Sequence, residues 1–248
     1  MTYCVGLKIN EGLVFMSDTL TNAGVDNINR NRKMENWSVR NYRSIVLLTS
    51  GNLATSQAAI STINEQIDQS ELEDRNILKA PSMFKVAKIV GKILREITSE
   101  YTIEGQKSDN QYHSTFILGG QIKGSEPKLF LIYPEGNFIE ASDDQPFFQI
   151  GETKYGKPII VRAYDKGLSF GEAIKLLLVS FDSTIKANVS VGLPIDLCTL
   201  KGSSFKISNQ VRIDQDNQYF KNISENWGSS LKKAIKSLPT FQEDNSSW

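Results

Sequence analysis

The sequence is poor in the residues from which metal sites and disulfide frameworks are built. Among 248 residues there are two cysteines, Cys4 and Cys198, and a single histidine, His113. A disulfide framework, a cysteine zinc site and a cluster of histidine ligands are therefore excluded. The lone histidine also leaves any histidine-activated nucleophile dependent on that one residue. We interpret His113 as a packing or surface residue and expect no metal site.

Two further absences concern net charge and long apolar runs. The 28 basic side chains are balanced by 28 acidic ones, so charge gives no reason to expect a nucleic-acid or anionic-membrane partner. No apolar run approaches the roughly 18 residues that a membrane span needs. The first residues also lack the basic and apolar regions of a secretion signal. We therefore expect a cytoplasmic protein without a nucleic-acid or membrane partner.

Strand-like and helix-like patterns occur in blocks along the chain rather than in strict alternation. Helical periodicity is predicted after Ser50-Gly51-Asn52, from near Pro81, over Phe170–Lys186 and over about Gln218–Leu238. Most of the remaining periodic segments read as strands, among them Ser190–Leu200, Phe205–Ser208 and Val211–Asp214. Thr19–Asn31 is predicted to be a polar loop and Gly105–Tyr112 a polar break. Blocks of this kind favour an α+β fold with antiparallel sheets and helices outside them. Residues 1–248 are predicted to form a single domain, with 240–248 as a frayed tail.

The chain opens with a predicted β-hairpin. Thr2–Ile9 and Leu13–Ser17 flank Asn10-Glu11-Gly12, which we interpret as a three-residue loop whose glycine takes the left-handed conformation. In that register the numbers of paired residues sum to about 22, which places Thr2, Cys4, Met16 and Asp18 on one face of the hairpin.

With histidine scarce, an N-terminal nucleophile becomes a candidate source of chemistry. If Met1 is removed, Thr2 carries both a hydroxyl and the α-amine of the chain, whose ordinary pKa of about 7.7–8.0 suits a general base. Lys33 is a candidate to lower the pKa of that amine, and Asp18 a candidate to hold Lys33. Each residue also has an ordinary structural explanation: an exposed terminus for Thr2, a turn cap for Asp18 and a solvated cation for Lys33.

The ordered set of motifs resembles the N-terminal half of a proteasome β-type subunit, an N-terminal-nucleophile hydrolase. The set consists of Thr2, Ser17-Asp18, Thr21-Asn22-Ala23-Gly24, Arg32-Lys33 and Thr49-Ser50-Gly51. Within that superfamily, residues 2–6, 21–26 and 190–196 are similar to the bacterial ancestral β-subunit family, Anbu. The strong motifs cover residues 2–55 and 182–197. Together with the block order, the resemblance predicts a four-layer αββα sandwich.

The resemblance implies a role for each matching residue. Thr2 would attack a peptide carbonyl, Lys33 would keep the amine in its basic form, Asp18 would orient Lys33, and the Gly51 N–H would donate to the oxyanion. Thr21 and Thr49 match positions that line the substrate pocket. The resemblance also implies a homo-oligomer of ring or open-spiral type, with an unidentified unfoldase as a further partner and no cofactor. The helices after Gly51 and Pro81 are the predicted contact surfaces.

Two departures from the family pattern keep alternatives open. Leu20 stands where proteasome β subunits usually carry an arginine, and the supporting serines have no clear match at Gln149-Ile150-Gly151 or Asp182-Ser183-Thr184. A non-catalytic assembly protein and an N-terminal-nucleophile amidase or ligase for small molecules therefore remain as alternatives. A relative of the HslV-type ATP-dependent peptidase shares Arg32-Lys33, but this chain continues much further past its last matching block.

Overall fold

The computed structural model describes residues 2–22, 28–101 and 110–241. Met1, the motif residues Ala23 to Asp26, most of the predicted polar break at 105–112 and the end of the predicted tail lie outside the described residues. The order of helices and strands otherwise follows the predicted blocks.

Two five-stranded antiparallel sheets form the centre of the molecule. The first has the strand order β10-β1-β2-β11-β12 and the second the order β5-β6-β7-β8-β9, while β3 and β4 form a separate two-stranded ribbon. The strands are β1 Tyr3–Ile9, β2 Gly12–Asp18, β3 Leu20–Asn22, β4 Ile28–Arg30, β5 Met34–Val39, β6 Arg43–Gly51, β7 Ser114–Ile122, β8 Lys128–Ile132, β9 Phe138–Glu140, β10 Phe147–Gly151, β11 Ile195–Lys201 and β12 Ile207–Ile213.

Five helices in the described ranges cover the outer faces of the two sheets. They are α1 Leu53–Gln69, α2 Met83–Tyr101, α3 Thr153–Ala163, α4 Phe170–Ala187 and α5 Gln218–Ser237. One apolar core joins α1 and α2 to the second sheet, another joins α3, α4 and α5 to the first, and a third lies between the sheets. The predicted α+β, four-layer αββα sandwich is thereby confirmed.

Local sequence explains why the helices lie where the periodicity placed them. The Asn52 side chain accepts from the Thr55 N–H at 3.0 Å and caps α1, and Ser169 with Glu172 forms a capping box at the start of α4. The stripe predicted for α2 consists of Val86, Ile89, Ile93, Ile97 and Tyr101. It is buried against the second sheet as far as Ile97, whereas Tyr101 is exposed. None of these helices in the described ranges is long and apolar enough to cross a membrane.

The predicted register of the first hairpin is wrong by one residue. Paired numbers sum to 21, as in Cys4 with Ser17 and Ile9 with Gly12, because the loop has two residues and Gly12 begins β2. Gly12 has a φ of +149°, and a Cβ there would overlap the carbonyl oxygen of Leu200 in β11. Phe15 therefore joins Cys4 in the core between the sheets, and Met16 faces the helices.

Three smaller predictions are also corrected. The loop predicted for 19–31 contains the β3–β4 ribbon. The strand predicted to start at Ser190 starts at Ile195, because Pro194 offers no N–H and its carbonyl accepts instead from the backbone and hydroxyl of Thr19. The two short strands predicted over Phe205–Asp214 are one strand, β12, which pairs along β11.

Candidate active site

A buried ion pair lies next to the start of β1. Lys33 Nζ donates to Asp18 Oδ1 at 2.7 Å, and Asp18 is 0 % and Lys33 5 % exposed. The same Oδ1 accepts the backbone N–H of Tyr3 at 2.9 Å, and Lys33 Nζ also donates to the Leu20 carbonyl at 2.5 Å. The carboxylate thus connects the Lys33 ammonium to the peptide unit between Thr2 and Tyr3.

The hairpin register is not what brings Asp18 to this place. Alternation along β2 assigns Asp18 to the same face as Met16, whereas Thr2 alternates with Cys4 on the face between the sheets. Asp18 is opposite Tyr3 at the end of the ladder, and from there its carboxylate reaches the Tyr3 N–H. The predicted grouping of Asp18, Lys33 and the chain start is found, but the reason given for it from the pleat was wrong.

Backbone and side-chain contacts hold the residue at the chain start from the other side. Thr2 is buried, and its carbonyl accepts the Glu152 N–H at 2.7 Å, just before α3 begins. The neighbouring Tyr3 hydroxyl lies 2.7 Å from Ser180 Oγ on α4 and accepts from the Gln149 amide on β10. Sequence reasoning missed Tyr3 and Ser180 and named Gln149 only as part of a segment where a supporting serine was expected, since only the assembled layers place the three together.

The charges of the site are set by burial and by the ion pair. Burial raises the pKa of the Asp18 carboxyl, while the Lys33 ammonium and the Tyr3 N–H oppose that rise. Asp18 Oδ2 and Ser17 Oγ are buried and have no hydrogen-bond partner among the described residues. Burial also raises the pKa of the Cys4 thiol well above its usual range, and Cys4 packs in the core between the sheets as a small apolar residue.

Gly51 ends β6 in a position that leaves its N–H directed away from β7. The Asn52 N–H donates to the His113 carbonyl, and successive N–H groups along a strand point to alternate sides. The Gly51 N–H therefore points to the other side, on which the Thr49 N–H donates to the Lys33 carbonyl. Strand β5 begins only at Met34, so it has no residue opposite Gly51. Gly51 has a φ of +115°, and a Cβ there would overlap the His113 carbonyl. The Gly51 N–H therefore lies beyond Lys33, past the first residue of β5.

The two predicted pocket residues occupy different settings. Thr49 is buried in β6, where its N–H donates to the Lys33 carbonyl at 2.9 Å and its own carbonyl faces Cys4 Sγ at 3.7 Å. Thr21 is partly exposed in the short strand β3. Arg32 of the Arg32-Lys33 motif lies apart from the ion pair, in a cleft of about 240 Å³ that Asp196 and Arg212 also line.

The second block of motif residues packs against the first. Thr19 donates its N–H and its hydroxyl to the Pro194 carbonyl at 3.1 and 2.9 Å. Leu20, the predicted departure from the arginine pattern, has its side chain near Gly192, where an added Cβ would lie 3.4 Å from Leu20 Cδ2. Among the described residues, no group of three or more histidine, cysteine, aspartate or glutamate side chains could hold a metal ion.

Comparison with known proteins identifies the family. Residues 2–200 match the family model described as a proteasome subunit. The proteasome subunit beta type-7-A of Arabidopsis thaliana is 24% identical over 212 residues, which are 84% of this chain and 69% of that protein.

Three solved structures extend the likeness over the whole chain. An Anbu (Gly-1) mutant from Hyphomicrobium sp. strain MC1 is 46% identical with a TM-score of 0.91, covering 98% of this chain and 100% of that one. Anbu (ancestral beta-subunit) from Yersinia bercovieri is 40% identical with a TM-score of 0.90, covering 97% and 100%. The helical assembly of the Anbu complex from Pseudomonas aeruginosa is 38% identical with a TM-score of 0.91, covering 98% and 100%. The chain therefore belongs to the proteasome-subunit family of N-terminal-nucleophile hydrolases and, within it, to the Anbu (ancestral β-subunit) proteins.

Proposed function

We propose that this protein is a threonine-type amide hydrolase acting on peptides, with Thr2 as the nucleophile after removal of Met1. The observation that carries the proposal is the buried Asp18–Lys33 pair, whose carboxylate is bonded to the N–H of the residue that follows Thr2. A buried ion pair is costly unless it is well bonded, so its position beside the backbone at the start of the chain supports a chemical role.

The proposed reaction uses the α-amine of Thr2 as the base. The Thr2 hydroxyl attacks the substrate carbonyl while the amine takes its proton, through water, and the amine then gives the proton to the leaving amine. The resulting ester is hydrolysed by water. The Lys33 ammonium lowers the pKa of the nearby amine and keeps it unprotonated, and Asp18 holds Lys33 in place.

The oxyanion of this reaction is assigned to the Gly51 N–H. A single donor of this type is worth roughly 2.7–4 kcal/mol of transition-state stabilisation. Thr21 and Thr49 are proposed to line the site on the substrate side, and their small polar side chains do not favour a sharp side-chain preference. No metal or organic cofactor takes part in this scheme.

The test combines intact mass with covalent labelling. Purified full-length protein should begin at Thr2, and a peptide epoxyketone, which reacts with both the hydroxyl and the amine of an N-terminal threonine, should label it once. Thr2→Ala should lose the label and Thr2→Ser should keep it. A chain that retains Met1 in its native host, or equal labelling of Thr2→Ala, would contradict the proposal.

A second candidate, a non-catalytic assembly protein, has one observation in its favour. The family resemblance implies an arginine where this chain has Leu20, whose side chain lies near Gly192. Such a replacement would remove one supporting charge from around the proposed nucleophile. A processed chain that begins at Thr2 but takes up no label, and that hydrolyses no peptide, would favour this candidate over the hydrolase.

We also propose that the chain assembles with copies of itself into a ring or an open spiral. The helical assembly of the Pseudomonas aeruginosa Anbu complex supports this, because that chain is covered completely at a TM-score of 0.91. Sedimentation of the full-length protein over a range of concentrations tests self-association directly.

A further inference from the structure

The last helix carries an apolar stripe that is longer than the surface on which it packs. Phe220 is buried and Ile223 and Trp227 are half-buried, so the first half of α5 is docked on the body of the chain. The stripe continues through Leu231, Ile235 and Leu238, at spacings of four and three residues, which keeps them on one side of the helix. The apolar side of α5 therefore extends beyond its own core.

The second half of α5 is exposed on every side. Each residue from Ser229 to Phe241 is exposed. The three side chains that continue the apolar stripe, Leu231, Ile235 and Leu238, are 44, 62 and 65 % exposed. Three lysines, Lys232, Lys233 and Lys236, lie in this half, and residues 229–238 contain no acidic side chain. A helix end of this kind gains its stability from packing against a partner. Its surface calls for an apolar seat with an acidic border.

A groove with an acidic border and a single apolar lining residue lies on the opposite side of the same chain. A groove of about 440 Å³ at the end of α1 is lined by Glu65, Gln66, Glu71 and Leu72, together with Thr62, Gln69, Ser70 and Arg75. Residues 65–75 carry five acidic side chains against one arginine. Leu72 is 56 % exposed within this acidic segment, which gives the groove an apolar contact point. Lys79, which does not line the groove, forms an ion pair with Glu71.

The two surfaces lie on opposite outer layers, because α1 covers the second sheet and α5 the first. The end of α5 can therefore meet a groove at the end of α1 only on another copy. A contact between two different patches repeats from copy to copy and produces a ring or an open helical filament.

We infer that the exposed end of α5 (residues 229–238) docks into the acidic groove at the end of α1 (residues 62–75) of the next copy, and that this contact drives head-to-tail assembly. The inference rests on the self-association proposed above and names its interface. The charge complementarity between the α5 lysines and the acidic residues of the groove carries this inference, and Leu72 is the apolar side chain on which the α5 stripe packs.

Paired charge reversals on the full-length chain test this interface. Lys232→Glu with Lys236→Glu gives a chain with an acidic α5 end and an acidic groove, and Glu65→Lys with Glu71→Lys, at the two acidic residues that line the groove, gives the reverse combination. Each double variant alone should weaken assembly by about tenfold or more, as measured by sedimentation velocity at fixed salt, because like charges then face each other. An equimolar mixture of the two variants should assemble again, since opposite charges meet at every contact.

A matched control makes the same two charge reversals at a site outside the proposed interface. Lys201→Glu with Lys206→Glu changes two exposed lysines near β12 and should assemble like wild type. If the α1 variant assembles normally while the α5 variant does not, α5 binds a different surface and the inference is overturned. The same holds if the mixture stays dissociated. Wild type that stays monomeric overturns self-association itself, whereas wild type and both variants that assemble equally overturn only this interface.

Discussion

At the scale of single residues, the feature with most consequence is the ion pair between Asp18 and Lys33. Both side chains are buried, and both are bonded to backbone groups as well as to each other. Removing one partner leaves the other charge without its counter-charge in a dry setting. Removing both relieves that cost.

The pair therefore predicts a strongly non-additive double-mutant cycle. Lys33→Met should lower the free energy of unfolding by about 3–5 kcal/mol, and Asp18→Asn should do so by a similar amount. The double variant should recover a large part of this loss, as measured by urea denaturation. Lys201→Met, at an exposed site, serves as the control and should change stability by less than about 0.5 kcal/mol. Strictly additive losses would show that the two charges do not stabilise one another.

The raised pKa of Asp18 predicts how the labelling of Thr2 depends on pH in the acidic range. Because burial raises this pKa above the ordinary value of 3.8, the carboxylate takes up a proton at a higher pH than an exposed aspartate does. Protonation removes the negative charge that holds Lys33, so labelling of Thr2 should show a second fall through that range, in addition to the fall caused by protonation of the Thr2 amine. In Asp18→Asn, labelling should be slow throughout and should lack this transition. A wild-type transition at or below 3.8 would count against the role given to Asp18.

At the scale of elements, the start of β1 is fixed by α3 and α4 through a very close contact. Gly156 in α3 faces Tyr3, and an added Cβ would overlap both the Tyr3 hydroxyl and Ser180 Oγ. The helix thus approaches β1 at a distance that only glycine permits, and Tyr3 is the residue next to Thr2.

This contact reverses the usual effect of replacing a helical glycine by alanine. Gly156→Ala should lower the free energy of unfolding by roughly 1–3 kcal/mol through overpacking, although alanine normally favours a helix. Gly228→Ala in α5, where an added Cβ meets nothing within 4 Å, is the matched control and should raise stability by about 0.5–1 kcal/mol. Thermal or urea unfolding of both variants provides the comparison, and a stable Gly156→Ala would show that α3 can move away from β1.

At the scale of the whole molecule, the layer between the two sheets holds the sandwich together. Phe15 is fully buried there among residues from both sheets, whereas Phe84 on α2 is 54 % exposed. Phe15→Ala should therefore cost about 3–5 kcal/mol of unfolding free energy, and Phe84→Ala about 1 kcal/mol or less. Calorimetry or urea unfolding separates the two, and equal losses would mean that the inter-sheet core is not the main source of stability.

The sequence predicts the architecture well because the relevant signals are local. Apolar periodicity and caps such as Asn52 and Ser169 define the helices without reference to the rest of the chain. The hairpin register could not be predicted in this way, because the same turn residues are compatible with a two-residue loop and with a three-residue loop. The observed choice is tied to the fit of Gly12 against Leu200, a contact between distant parts of the chain.

The site could be predicted only in part for a similar reason. The grouping of Asp18 and Lys33 was first inferred from the hairpin pleat, for a reason that was wrong, and it was also implied by the family resemblance, which carries information about the folded chain. The anchoring of Tyr3 by Gln149 and Ser180 joins residues up to 177 positions apart, and no local pattern marks them. The exposure of the α5 end was equally hidden, since an apolar stripe does not reveal how much of it the same chain covers.

The Asp18 carboxylate accepts a hydrogen bond from the backbone N–H of Tyr3 rather than from a side chain at position 2. A peptide N–H is present whichever residue stands there, so the charged scaffold does not depend on the identity of the nucleophile. Exchange of Thr2 for serine, alanine or glycine would leave that scaffold intact. A single-codon change at position 2 would accordingly alter the proposed chemistry and leave the Asp18–Tyr3 hydrogen bond in place.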